Sequence, residues 1–467
     1  MCMRLLPFFF LILFISLNVK SLSAQGEGST FLTTGRGAAT TTVTDYEAIG
    51  INPANLGRDL PFKVSVGLAE VGFSLYSEAL LRSDLRDILF NFRGIDLTEV
   101  QEEVFSQDFV ESGQAIDLDA KLIGMGLNLR NGGGLAFDIQ ANASGNLIFN
   151  DFGSSLIFQG FDFENYFDTL ILLFGDTTGV ASTPQKISSL FKGTRIGLTT
   201  TAEFNIAYGQ ELWSNYDYRL LGGIGARYIM GTGIFDFRVE DDELKGFSSL
   251  SPGFIFELDS LNSSLAQQGD GFKPVGHGFG FDLGLSLEND RTSFGLALTD
   301  LGLIHWTGNV VSWNDALIDS LAFSGINTIN IFDELDLFIQ EQLFETNGEE
   351  AKTSILPAKM RAGIGYRATE ELDIGAEIII PLNDAPDNLQ AVFASAGAEY
   401  CFARLFNLSA GVAVGGNYDV RVPAGFTVKT RVWEGGIATR DLLTLFGERK
   451  PTISMAAGFL RFKFGQS

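Results

Sequence analysis

What most constrains this chain is an alternation of apolar and polar residues that recurs in stretches of about ten. In "GLAFDIQANASGN", Leu135, Phe137, Ile139, Ala141 and Ala143 share one face, and Asp138, Gln140, Asn142 and Ser144 share the other. "GLTTTAEFNIAYGQ" sets Leu198, Ala202, Phe204, Ile206 and Tyr208 against Thr199, Thr201, Glu203 and Asn205. "GFGFDLGLSLE" opposes Phe279, Phe281, Leu283, Leu285 and Leu287 to Gly280, Asp282, Gly284, Ser286 and Glu288. Successive strand side chains point to opposite faces, so period two means a strand with one apolar side. Strands of a soluble sandwich usually run about 5–6 residues. A strand that crosses a bilayer needs about 9–11.

Segments of this kind fall at 63–75, 117–130, 133–147, 195–212, 216–231, 277–288, 291–302, 357–367, 370–381, 392–403, 405–416, 421–430, 432–441 and 452–464. They number about 14, and single-chain bacterial barrels have even strand counts. The connections sort by parity. Short turns (Asn131-Gly132, Trp213 to Asn215, Asn289-Asp290, Ala368 to Glu370, Arg404, Arg431) alternate with longer ones at 76–116, 148–194, 232–276, 303–356, 382–391, 417–420 and 442–451. An up-and-down membrane barrel places alternate connections on opposite sides, with the long ones outside. A soluble β-protein has no reason to sort its loops this way. The expected fold is therefore all-β: a transmembrane up-and-down antiparallel barrel occupying residues 62–467. Within the outer loops, Ser77 to Phe92 and Phe332 to Glu345 space their apolar residues as helices do. The run Glu240-Asp241-Asp242-Glu243 reads as a solvated acidic face.

The first 24 residues have the layout of a secretory signal: Arg4, an apolar core from Leu5 to Leu17, then Ser21-Leu22-Ser23-Ala24 for cleavage after Ser23 or Ala24. Past residue 24 no apolar run reaches 18 residues, which argues against transmembrane helices but not against barrel strands. Export of such a barrel implies the outer membrane of a Gram-negative cell, with its lipids as partners. Losing Arg4 and Lys20 leaves 30 basic residues against 57 acidic ones, a balance that disfavours nucleic acid. Cys401 is then the one remaining cysteine, so no intrachain disulfide can form.

Chemistry-bearing motifs are scarce. With His277 and His305 as the only histidines there is no His-rich metal site, and no serine sits in a G-x-S-x-G elbow. Gly223-Ile224-Gly225 and Gly363-Ile364-Gly365 lie inside alternating strands, as small lumen-facing positions do. Neither an enzyme, a cofactor nor a metal is expected. Residues 25–61 precede the first strand and hold "DYEAIGINPANLGR", where Asn52 is placed to cap a short helical turn begun by Pro53.

That segment resembles the N-terminal region of the fatty-acid transporter (FadL) superfamily of outer-membrane barrels. The matching positions are Gly35 to Ala39, Asp45, Asn52-Pro53-Ala54 and Leu56. The stretch Ile355 to Ile378 is similar to a Bacteroidota barrel family of unknown function within this superfamily. The resemblance implies an N-terminal plug, or hatch, inside the barrel and a hydrophobic small molecule passing the lumen or a lateral opening. Residues expected to form the hatch or contact the ligand are Asp45, Ile49, Ile51, Asn52, Pro53, Asn55 and Leu56. The alternative is a platform for protein partners in secretion or surface assembly, as in the type IX pathway, with the acidic outer loops as the contact surface.

Overall fold

A computed structural model describes residues 30–91, 97–129, 133–160, 166–173, 176–254, 271–313, 315–322, 346–416 and 418–466. The export segment, the Asn131-Gly132 turn and the helix expected at Phe332 to Glu345 lie outside the described residues. Fourteen strands form the wall: β1 Phe62–Ser77, β2 Gln114–Leu129, β3 Gly133–Ile148, β4 Arg195–Ser214, β5 Arg219–Glu240, β6 Gly276–Glu288 and β7 Thr292–Trp306 in the first half. The second half is β8 Lys359–Arg367, β9 Leu372–Pro381, β10 Phe393–Phe402, β11 Phe406–Gly415, β12 Ala424–Lys429, β13 Trp433–Thr439 and β14 Thr452–Gln466. Each pairs antiparallel with the next. The last pairs with the first, from Phe62 opposite Gln466 to Tyr76 opposite Thr452, so the sheet closes and its edges disappear.

The alternation sorts as its chemistry requires. On β6, Leu283 and Leu285 are each 47% exposed, while Asp282 and Ser286 are 2% and 1% exposed. The outward Leu, Ile, Phe and Val side chains make a continuous apolar belt, a surface suited to hydrocarbon rather than water. Among the described residues no helix is long and apolar enough to cross a membrane.

Strand ends match the sequence pattern within three residues except on β7, which runs on to Trp306 and takes His305 from the expected loop into the wall, and on β5. Gly231-Thr232-Gly233 looks like a terminus, yet the strand continues to Glu240 and turns back through Glu243–Leu250. Asp241 and Asp242 take positive φ values of 51° and 60° at this tight turn, so the acidic run is a hairpin tip. The extension is stabilised by Phe235, Phe237 and Val239, all fully buried in an apolar core above the barrel with Leu85, Phe109, Leu156, Ile187 and Phe191. Helices Arg82–Asn91, Glu99–Asp108 and Asp151–Gln159 belong to this outer cap. The first lies within the expected Ser77 to Phe92. The other two are announced by caps that are legible only in retrospect: Thr98 with Gln101 as a capping box, and Asn150 accepting from the Gly153 N–H.

Candidate functional site

Residues 30–58 pack against glycines and polar side chains of the wall strands. Wall glycines make the room: an added Cβ at Gly124 would sit 2.4 Å from the Tyr46 ring, at Gly134 2.4 Å from the Leu56 carbonyl, and at Gly223 2.2 Å from Pro53. The segment is built from single turns. Ala39–Thr42 is one helical turn, and Asp45–Ala48 and Pro53–Gly57 are 3-10 turns. Asn52 caps the last of these, its Oδ1 accepting from the Ala54 N–H at 3.2 Å with Pro53 at the first position. The carbonyls left over at the first turn are taken up within the segment: Asn52 and Asn55 side chains donate to the Thr40 carbonyl and Arg58 to that of Thr41. Leu56 packs with Ala136 and Ala207 of the wall.

Charge holds the segment in place. Arg461, which shares the polar face of β14 with Lys463, donates to Asp45 at 2.6 Å and lies 3.4 Å from Glu47 and 3.2 Å from Glu434. Its guanidinium stacks 4.5 Å from the Tyr46 ring centroid, and the Tyr46 hydroxyl donates to Glu70 at 2.6 Å. Lys121 bridges Glu47 and Asp138, each at 3.5 Å. Asp45, Glu47, Glu434 and Arg461 are all 2% exposed, so these are buried pairs whose desolvation is offset by several partners at once. On the other side of the lumen, Arg58 pairs with Glu288 at 2.9 Å and Thr40 donates twice to Glu377. Arg36 pairs with Glu399.

Between the Ile49-Gly50-Ile51 turn and the wall is a cavity of about 230 Å³. Its lining has two chemistries. Ile49, Ile51, Ile229, Ile234, Ile304 and Leu356 give an apolar side. Facing them are Asp117, Asp119, Lys121, Glu203 and Arg227. Arg227 is held by Asp282 and Asp300, both at 2.7 Å, while Gln140 and Asn142 donate to Glu203 at 3.0 and 3.1 Å. At the edge sits Asp387, whose carboxyl is pushed up to about 6 by burial, against the pull of the Lys359 ammonium.

The wall beside this cavity is interrupted. Register between β6 and β7 shifts between Leu298 and Leu301, with Asp300 at a φ of 60°. Pairing of β7 with β8 stops at Thr299 opposite Lys359 and resumes at Leu303 with the short strand Lys352–Ile355. Leu356 and Pro357 fill the break and line the cavity, as does Ile355, which is 48% exposed.

The seven residues singled out in the sequence thus divide. Ile49 and Ile51 line the cavity; Asp45, Asn52, Pro53, Asn55 and Leu56 are buried against the wall or within the segment. Arg461, Lys121, Glu70, Glu434 and Arg227 were not singled out. Their signal was an ionisable residue on the lumen face of an alternating strand.

A family model of unknown function, DUF5723, matches residues 53–457. The chain belongs to this family. The DUF5723 match starts at Pro53, so it takes in the capped turn and nearly the whole wall. The chain is similar in structure to the Ralstonia pickettii toluene transporter TbuX, at 10% identity over 94% of this chain and 98% of that one, TM-score 0.47. The Pseudomonas putida toluene transporter TodX gives 11% identity over 95% and 99%, TM-score 0.43. A Pseudomonas aeruginosa FadL homologue gives 10% over 93% and 99%, TM-score 0.39. No curated protein matches. At these scores the closed pairing of fourteen strands, rather than the likeness, carries the fold assignment.

Proposed function

We propose that this protein is an outer-membrane conduit for a small molecule with an apolar body and a polar end, and that residues 30–58 are a hatch closing its lumen. The supporting observation is the two-sided cavity between the Ile49-Gly50-Ile51 turn and the wall. Its isoleucine side suits an apolar body, and the ion-paired side of Lys121, Glu203 and Arg227 orients a polar end. A volume of about 230 Å³ lies below the ~300–1,000 Å³ of sites for drug-sized ligands, so the ligand is compact.

The hatch is anchored rather than loose. Expelling it whole would strand several buried charges, each costing about 3–5 kcal/mol. The part free to give way is the Gly50 turn, where an added Cβ would meet only Arg227 Nη2, at 3.4 Å. The interrupted ladder at Asp300 and Pro357 supplies a lateral exit into the apolar belt. A second reading, a platform for surface protein partners, is favoured by the outer cap having an apolar core of its own.

Uptake of a panel of small amphiphiles by a deletion strain tests the conduit. Wild-type protein restores uptake, and the Ile49→Asp/Ile51→Asp variant does not, although it reaches the outer membrane and keeps its heat-dependent gel shift. If deletion leaves uptake intact and abolishes surface display of other proteins, the conduit is wrong and the platform stands.

A further inference from the structure

The chain has two histidines, and the barrel's register brings them together. His277 near the start of β6 is directly opposite His305 near the end of β7, and both are exposed on the outward face. Directly opposed side chains on antiparallel strands have Cβ atoms about 4.5–5.5 Å apart. Both residues adjoin long connections, which places them at the outer end of the wall.

His277 Nδ1 is hydrogen-bonded to the Tyr228 hydroxyl on β5 at 2.8 Å, with the two rings stacked at 6.0 Å and 13°. His305 Nδ1 is hydrogen-bonded to Thr353 Oγ1 at 3.0 Å, on the short strand Lys352–Ile355. These partners flank the pair on opposite sides: β5 beyond β6, and the short strand beyond β7. Each Nδ1 therefore turns away from the other histidine, and the ring edge carrying Nε2 turns toward it. An imidazole whose Nδ1 hydrogen is held by a neighbour has its lone pair on Nε2, the arrangement of metal-ligating histidines and their supporting groups.

We propose that His277 and His305 hold one divalent transition-metal ion, of the Zn²⁺, Ni²⁺ or Cu²⁺ class that imidazole suits, through the Nε2 atoms of both rings. Tyr228 and Thr353 are positioning residues: each hydroxyl can accept from an Nδ1–H, the tautomer that leaves the lone pair on Nε2. Among the described residues no group of three or more His, Cys, Asp or Glu assembles around an ion, so water completes the coordination and the site stays open on the outer face. Bound metal staples β6 to β7 at the outer rim, above the bulge at Asp300.

The test uses full-length, tag-free protein in detergent, stripped with chelator and titrated with Cu²⁺. One ion per barrel is expected, with an electron paramagnetic resonance spectrum showing two equivalent imidazole nitrogens. His277→Ala and His305→Ala are each expected to weaken binding at least about tenfold and to remove one nitrogen from the spectrum. Tyr228→Phe and Thr353→Val keep both nitrogens and weaken binding less than either histidine variant. A wild-type spectrum without imidazole nitrogens overturns the assignment whatever the variants do. So does unchanged Cu²⁺ binding in the double histidine variant.

Discussion

Replacing Arg461 with Gln is expected to release the N-terminal segment while leaving the barrel closed. The guanidinium sits among four carboxylates: Asp45 at 2.6 Å, Glu434 at 3.2 Å, Glu47 at 3.4 Å and Glu70 at 3.9 Å, each no more than 2% exposed. Removing one partner of a buried pair costs about 3–5 kcal/mol, because the remaining charge is left uncompensated. At about 1.4 kcal/mol per tenfold, local opening of the segment rises by roughly two to three and a half powers of ten. The wall loses little, since β14 keeps its ladders to β1 and β13 through backbone groups. Hydrogen exchange followed by mass spectrometry reads this directly. The amides of Ile51, Asn52 and Asn55, hydrogen-bonded within the segment to Ala48 and Asn52 carbonyls, lose protection. Those of β1 and β14 keep it. Adding Asp45→Asn to Arg461→Gln removes one stranded charge and restores part of the protection, a coupling that independent sites would not show. Unchanged exchange over residues 44–57, or loss of protection throughout the strands, would show that Arg461 does not anchor the segment independently of the wall.

Other consequences are as direct. Gly223→Val puts a side chain into the space of Pro53, so trypsin is expected to cut at Arg58 in the folded variant and not in wild type. Phe237→Ala removes a fully buried ring from the outer cap at a cost of about 3–5 kcal/mol; protease added to intact cells then clips the outer loops while the barrel core resists. Asp387 binds its proton more tightly folded than unfolded, since its carboxyl is raised to about 6. Its contribution to stability is therefore present at low pH and lost as pH rises from the ordinary carboxylate range to about 6. Cation selectivity of the reconstituted barrel is expected to increase between about pH 5 and pH 7 as the cavity edge gains a negative charge, and Asp387→Asn to flatten that step.

The wall was legible because a bilayer on one side and water on the other impose period two on every strand, and the loops inherit their lengths from the sidedness. β5 escaped because Gly231-Thr232-Gly233 mimics a strand end, and the extension beyond it is buried by a cap whose assembly no local pattern announces. The N-terminal segment was legible in its local chemistry: Asn52 and Pro53 specify a capped turn wherever they sit. What joins that segment to the wall was not. Asp45 and Arg461 are 416 positions apart, and alternation shows that Arg461 faces inward without saying which acid it meets. For the same reason Ile49 and Ile51 could be grouped with Asp45 and Leu56, although the first two line the cavity and the others do not. The histidine pair likewise depends on strand register, which the turn between β6 and β7 fixes and composition does not.

On the proposed reading, residues 30–58 close a barrel wide enough to conduct. Single-channel recording in planar bilayers compares wild-type protein with a variant lacking residues 30–58 whose closed wall is verified by its heat-dependent gel shift. A wild-type barrel of low conductance is expected, with a deletion variant that conducts as a wide, stably open pore. Equal conductance from the two would mean that residues 30–58 do not close the pore.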